Sequence, residues 1–413
     1  MASSVGNQPS PGDESDPLLK NHSPSPSKAD PGRPLTHTPQ APRRQLPTAI
    51  RSGAYSPICF LPLALVAGYL QWNPVLVFIY NLFAIIALSA IISDSSQQLT
   101  AQTNTWTGAL INTVPCKAVG LSLGAWAVAS REIYVAQSLA IGTILSEILL
   151  ILGCSMIAAS YRSDLLYFNQ PTTNTLSSLM LATSTVLVLP SVLATSFPYE
   201  LGDRTVAFSR GVSAVLLGVY AGYLYFQLGT HRHLFPRQQW TENPDEVNAD
   251  ADTAHDLPRT ASGNAKPALV LTLATLAAII CSKFLTDTLV ITAARLPLSK
   301  TLIAATLVPL ATTGATGVSM IRGSAVNQEV DGAVCAVVQN VVHLGLFGMP
   351  VLVLLGWVLA KPMSLVFDVF EVVVLFFSVL LVNGVLRGGR YSVVHGVALV
   401  AMYAILTLAF CVR

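Results

Sequence analysis

The sequence predicts an all-helical, polytopic membrane protein, and three observations carry that expectation. Charged residues make up 11% of the chain against 52% hydrophobic ones, with a mean hydropathy of +0.58. Soluble domains carry roughly 25% charged residues, so most of this chain sits where charge is expensive. From Ser56 onward, apolar runs of about the 20 residues that cross a bilayer as a helix alternate with short polar punctuation. Prolines inside those runs mark helices that continue past a missing donor, which a bilayer tolerates only against other helices or a cavity.

Residues 1–55 are rich in Ser, Pro, Asn and Asp and lack apolar periodicity, so the expectation is a disordered tail that buries too little to offset its ordering entropy. No apolar core follows Met1, so the tail does not read as a signal peptide. Within it, Glu14 stands ahead of the pair Leu18 and Leu19, a pattern similar to an acidic dileucine signal read by sorting adaptors of the lysosome or vacuole; a chance match is the alternative.

The apolar runs place spans near 56–71, 74–93, 106–129, 133–160, 174–197, 206–229, 267–291, 298–321, 331–358, 364–386 and 392–411, about eleven in all, the first short enough for a half-span. Pro62, Pro115, Pro190, Pro309 and Pro350 lie inside them. The chain therefore divides into a tail (1–55), a first transmembrane half (56–229), a polar linker (230–266) and a second half (267–413). The linker holds Glu242, Asp245, Glu246, Asp250, Asp252 and Asp256 without the glycine and terminal glutamate of an EF-hand loop, so a solvated linker is expected rather than a cation sensor.

With the tail in the cytosol, cytosolic segments hold 14 of the 23 Lys and Arg residues, and the opposite side holds 7. The positive-inside bias thus predicts a cytosolic N-terminus. Lys117 and Lys283 remain inside spans. Net charge is +2, so no basic field suggests nucleic acid; the expected surroundings are lipid, cations and protons. The six cysteines fall in apolar stretches without a C-x-x-C pair and read as small buried hydrophobes. No intramembrane Ser–His, paired-Asp or H-E-x-x-H arrangement suggests an enzyme.

Several blocks resemble the fungal vacuolar Ca2+/H+ exchangers of the cation/Ca2+ antiporter superfamily. They are Asn81 to Leu88, Gly142-Thr143-Ile144-Leu145-Ser146 with Leu150 to Gly153, Ser209-Arg210-Gly211, and Tyr225 to Gly229. In the second half come Leu298-Ser299-Lys300-Thr301 leading to Pro309, then Leu355-Gly356-Trp357 and Ala401-Met402-Tyr403. They run in order over residues 56–413. The resemblance implies two inverted repeats around a midplane site, no cofactor, and Ca2+ or another cation exchanged for H+. It also implies a Gly-Asn-Ala-Val-Glu stretch in each repeat, whose glutamates supply the oxygen ligands a hard cation wants.

This chain departs from that pattern at the site itself. The first stretch reads Cys116-Lys117-Ala118-Val119-Gly120, with Lys117 in place of Asn and Gly120 in place of Glu. The second reads Thr312-Thr313-Gly314-Ala315-Thr316, with Thr316 in place of the other Glu. An acidic pair after the second span is replaced by Gln97-Gln98, and a usual Gln late in the ninth by His343. Losing two carboxylates and gaining an ammonium changes the site's formal charge by about +3, where each charge costs several kcal/mol.

The remaining intramembrane charges define the candidates. Glu147, beside Ser146, stands where the relatives carry Asn; it either neutralises Lys117 as a tethered cation or faces a wet vestibule without touching it. Glu371 matches a family glutamate, and reads as a transport carboxylate or as a helix-end charge beside Asp368. Lys283 and Asp287, four apart, are expected to pair. His343 is a candidate proton relay or a satisfied core histidine. Candidate cation ligands are therefore Glu147, Glu371, Ser146, Thr312, Thr313 and Thr316. The expected function is a vacuolar cation/proton antiporter working by alternating access, in which ordinary Ca2+ exchange is in doubt. The alternatives are a transport-silent scaffold or regulator locked by Lys117, and a changed substrate such as a monovalent cation or a proton leak.

Overall fold

A computed structural model describes residues 59–101, 105–161, 166–168, 170–197, 204–225, 227, 265–296 and 298–412. The tail with Glu14, Leu18 and Leu19, and the linker up to residue 264, lie outside the described residues.

The described chain is helical almost throughout. The helices are α1 (Phe60–Tyr69), α2 (Pro74–Ala101), α3 (Thr105–Ala129), α4 (Ile133–Ser160), α5 (Gln170–Ser196) and α6 (Thr205–Tyr225). The second half holds α7 (Ala265–Arg295), α8 (Lys300–Asn327), α9 (Asp331–Val358), α10 (Val369–Arg387) and α11 (Val393–Val412). Nine of the described helices are long and apolar enough to cross a membrane. The 25 residues of α3 have the length of a span as well. The ten residues of α1 reach about 15 Å, half a bilayer core. Helix is the outcome because hydrocarbon offers no partner to a backbone N–H or C=O, and only a helix satisfies each group within its own segment.

The two halves repeat a pattern. In α4, the 13 residues Ile133–Leu145 lead into a π-helical turn at Ser146–Ile151. In α9, the 13 residues Asp331–His343 lead into another at Leu344–Gly348. Four spans, α5 to α8, lie between α4 and α9, so the two run in opposite directions through the membrane, which is the inverted-repeat arrangement. A third π turn, Ile303–Leu307, lies in α8. Two of these turns have a visible cause. Pro309 and Pro350 carry no N–H, so the carbonyls of Ala305 and Leu346, four residues earlier, lose their helical donors, and both carbonyls sit inside π turns.

Those turns are where the repeats meet. At Gly142 of α4 an added Cβ would lie 2.1 Å from the carbonyl oxygen of Ala305, so the α4–α8 crossing requires glycine. The Tyr134 and Thr301 hydroxyls, 2.9 Å apart, join the same two helices nearer their N-terminal ends. Pro190, Pro309 and Pro350 are buried between helices as expected, whereas Pro62 is exposed. Pro62 is third in α1, where its missing N–H would have had no helical partner anyway.

Two short strands, β1 (Leu166–Tyr167) and β2 (Arg390–Tyr391), pair antiparallel and tie the loop after α4 to the loop after α10. The tenth span starts later than its hydropathy suggests. Residues 359–368, which include part of the predicted span 364–386, run outside helix, and α10 begins at Val369. Side chains from distant helices satisfy this backbone: Gln137 donates to the Ser364 and Val366 carbonyls, both at 2.9 Å. The Leu365 and Phe367 amides donate to Ser209 at 3.1 Å and Ser191 at 2.9 Å. Met363, Leu365 and Phe367 are buried, so the segment is a fold-back packed into the bundle.

Candidate functional site at the helix midpoints

Lys117 is the central residue of α3, Glu147 falls at the middle of α4, Thr313 at the middle of α8 and His343 at the middle of α9. Helix length alone thus brings four of the sequence candidates to one depth. The two charged ones meet, with Lys117 Nζ 3.8 Å from Glu147 Oε1. The Glu147 side chain is 4% exposed and that of Lys117 is 25% exposed, so the carboxylate is enclosed while the lysine side chain is not.

The site has further members that the sequence did not single out. The Asn340 side chain, on α9 one turn before His343, lies beside the Glu147 carboxylate. Tyr220 of α6 places its hydroxyl 2.9 Å from His343 Nδ1 and stacks on Phe347, with ring centroids 5.0 Å apart. Tyr223 flanks the imidazole edge-on at 5.9 Å. His343 is therefore a buried histidine held by a tyrosine. An amide inside a span could have flagged Asn340; Tyr220 and Tyr223 share α6 with Ser209, Arg210 and Ser213, and nothing in the segment sets them apart.

The hydroxyl candidates are bonded to their own helices. Ser146 donates to the Thr143 carbonyl at 2.9 Å, and Thr312 and Thr313 donate to the Pro309 carbonyl at 3.0 and 2.9 Å. The carbonyl of Thr316 accepts from Ser319 at 2.7 Å. A hydroxyl that gives up its hydrogen this way keeps lone pairs for a cation. Gly120, where the resemblance places a glutamate, has space beside it: a Cβ there would meet nothing within 4 Å.

Glu371 is not part of this constellation. It lies in the first turn of α10, fully buried, and accepts from the Ser138 hydroxyl at 2.5 Å. Ser138 precedes Glu147 by nine residues of α4, about 13 Å of helix. Asp368 caps α10 by accepting from the Phe370 amide at 2.9 Å, so both acids sit where the helix dipole favours negative charge. The expected Lys283–Asp287 pair does not form. Lys283 Nζ instead lies over the Trp126 ring of α3, 5.4 Å from its centroid, because a ring on a neighbouring helix competes with an acid one turn away. Among the described residues, no group of three or more His, Cys, Asp and Glu could hold a metal ion.

Comparison with known proteins bears on this geometry. Residues 73–229 and 266–412 match the family described as sodium/calcium exchanger protein. A vacuolar calcium ion transporter of Schizosaccharomyces pombe is 30% identical over 355 residues, covering 86% of this chain and 83% of that one. A Ca2+/H+ antiporter of Synechocystis is 29% identical over 86% of this chain and 95% of its own. Among solved structures, native YfkE superposes with a TM-score of 0.71 at 22% identity over 86% of this chain and 98% of that one. The H+/Ca2+ exchanger CAX gives 0.64 at 15% identity, over 88% and 93%.

Proposed function

Because the chain belongs to the sodium/calcium exchanger protein family, we propose that it is a cation/proton antiporter of the vacuolar membrane whose central site no longer exchanges Ca2+ as an ordinary member does. The observation that carries this reading is the 3.8 Å contact between Lys117 and Glu147 at the helix midpoints. Ca2+ takes six to eight oxygens, commonly with several carboxylates among them. Here one carboxylate remains at that depth, and an ammonium already faces it.

Transport proceeds by alternating access, the two inverted repeats rocking around the fixed site. Glu147 is the primary cation ligand, with Ser146, Thr312, Thr313 and Thr316 as the hydroxyl ligands nearest the same depth. His343, held by Tyr220, is the proton relay. Glu371 serves as a second carboxylate about 13 Å along α4. The vacuolar assignment follows relatives named as a vacuolar calcium ion transporter and a vacuolar cation/proton exchanger. The positive-inside bias supports a cytosolic N-terminus, where Glu14, Leu18 and Leu19 would be open to a sorting adaptor.

A second reading, a transport-silent scaffold or regulator, is favoured by the same contact, since Lys117 stands in for a bound ion. Proton release from acid-loaded vesicles containing the purified protein separates the two. Release triggered by an external cation supports transport. Silence toward every cation offered, from correctly folded protein, supports the scaffold.

A further inference from the structure

Among the described residues, Glu147 is the one acid at a helix midpoint, and what it faces is itself a cation, tethered to α3. What faces that ammonium is one carboxylate, Glu147 Oε1 at 3.8 Å, and the Asn340 side chain lies beside that carboxylate. We propose that the cargo of this site is a monovalent cation of ammonium size, the class of potassium, which takes the Glu147 carboxylate in place of the Lys117 ammonium. The proposal rests on the reading of the helix midpoints as the transport site.

Charge decides the class. With Lys117 and Glu147 both ionised the site is neutral, so a monovalent guest leaves it at one net positive charge and a divalent guest at two. At this depth each uncompensated charge is costly. Size points the same way, because an ammonium group and a potassium ion are close in radius and both accept a loose shell of neutral oxygens, whereas Ca2+ demands more carboxylate.

Geometry allows the exchange. Gly120 lies on the same face of α3 as Lys117, one turn on, and a Cβ built there would meet nothing within 4 Å. The Lys117 side chain is already 25% exposed. The Lys117 side chain therefore has open space along its flank to withdraw into, while the carboxylate stays enclosed.

The test is thermal unfolding of the purified protein in detergent, with choline chloride holding ionic strength constant. Wild type, Lys117→Ala and Lys117→Ala/Glu147→Gln are each titrated with potassium, ammonium, sodium and calcium chlorides. Lys117→Ala is expected to gain several degrees, saturably, from potassium and ammonium, less from sodium and no more than choline gives from calcium; the double variant is expected to lose the response. If Lys117→Ala does not purify folded, wild type carries the test through rubidium uptake into vesicles, competed by potassium and not by calcium. A response to calcium at or below the potassium concentration overturns the proposal, as does a folded Lys117→Ala protein indifferent to all four ions. Either failure leaves the transport reading to be judged by proton release, while absence of release with potassium binding intact removes the transport reading alone.

Discussion

Lys117 Nζ and Glu147 Oε1 lie 3.8 Å apart, each at the middle of its own helix and on opposite sides of one crossing between α3 and α4. The contact is asymmetric: the Glu147 side chain is enclosed and the Lys117 side chain is partly exposed. The proposed departure from ordinary Ca2+ exchange rests on that pair.

Removing one partner should expose the asymmetry. Lys117→Ala strands an enclosed carboxylate and is expected to cost about 3 kcal/mol in potassium-free buffer. Glu147→Gln leaves an ammonium on a partly exposed side chain and should cost about 1 kcal/mol. The double variant should be more stable than Lys117→Ala alone, and a double-mutant cycle on denaturation midpoints in detergent checks both claims.

Gly142 and Gly120 form a matched pair of positions. Gly142→Ala drives a methyl into the Ala305 carbonyl and should destabilise by about 1–3 kcal/mol. Gly120→Ala meets open space and removes a flexible residue from a helix, so it should be neutral or stabilising by up to about 1 kcal/mol. Thermal midpoints of the two variants, measured side by side, decide it.

The fold-back at 359–368 depends on two serines. Ser191→Ala and Ser209→Ala each leave a buried amide, that of Phe367 or Leu365, without its acceptor. Each is expected to cost about 1–3 kcal/mol and to speed hydrogen exchange at that amide.

The architecture was largely legible in the sequence, because hydropathy reports span after span and a bilayer leaves the backbone little choice but helix. The Lys117–Glu147 contact was one of two readings the sequence left open, since charges stranded at mid-depth pair or face water, and the structure shows the pairing. The errors arise where partners come from distant helices. Residues 364–368 are apolar enough to read as span, yet their backbone is satisfied by Gln137, Ser191 and Ser209, more than 150 positions away. Lys283 was assigned to Asp287 by local spacing and lies instead over Trp126. Asn340 and Tyr220 were missed because nothing in their own segments shows that they face Glu147 and His343.

Restoring the glutamates that the family resemblance implies should bring Ca2+ binding. Lys117→Asn/Gly120→Glu/Thr316→Glu brings back two carboxylates and removes the ammonium, and the open space beside Gly120 admits the first of them. The triple variant is expected to gain saturable Ca2+ binding, measured by titration calorimetry. A folded triple variant that binds none would contradict the placement of Gly120 and Thr316 at the family's glutamate positions.

Calorimetric titration of the wild-type protein with Ca2+ bears most directly on the site. The expected result is no saturable binding at concentrations that saturate the triple variant. Tight Ca2+ binding by wild type, abolished by Glu147→Gln, would show that Ca2+ displaces Lys117 and that the site remains a Ca2+ site.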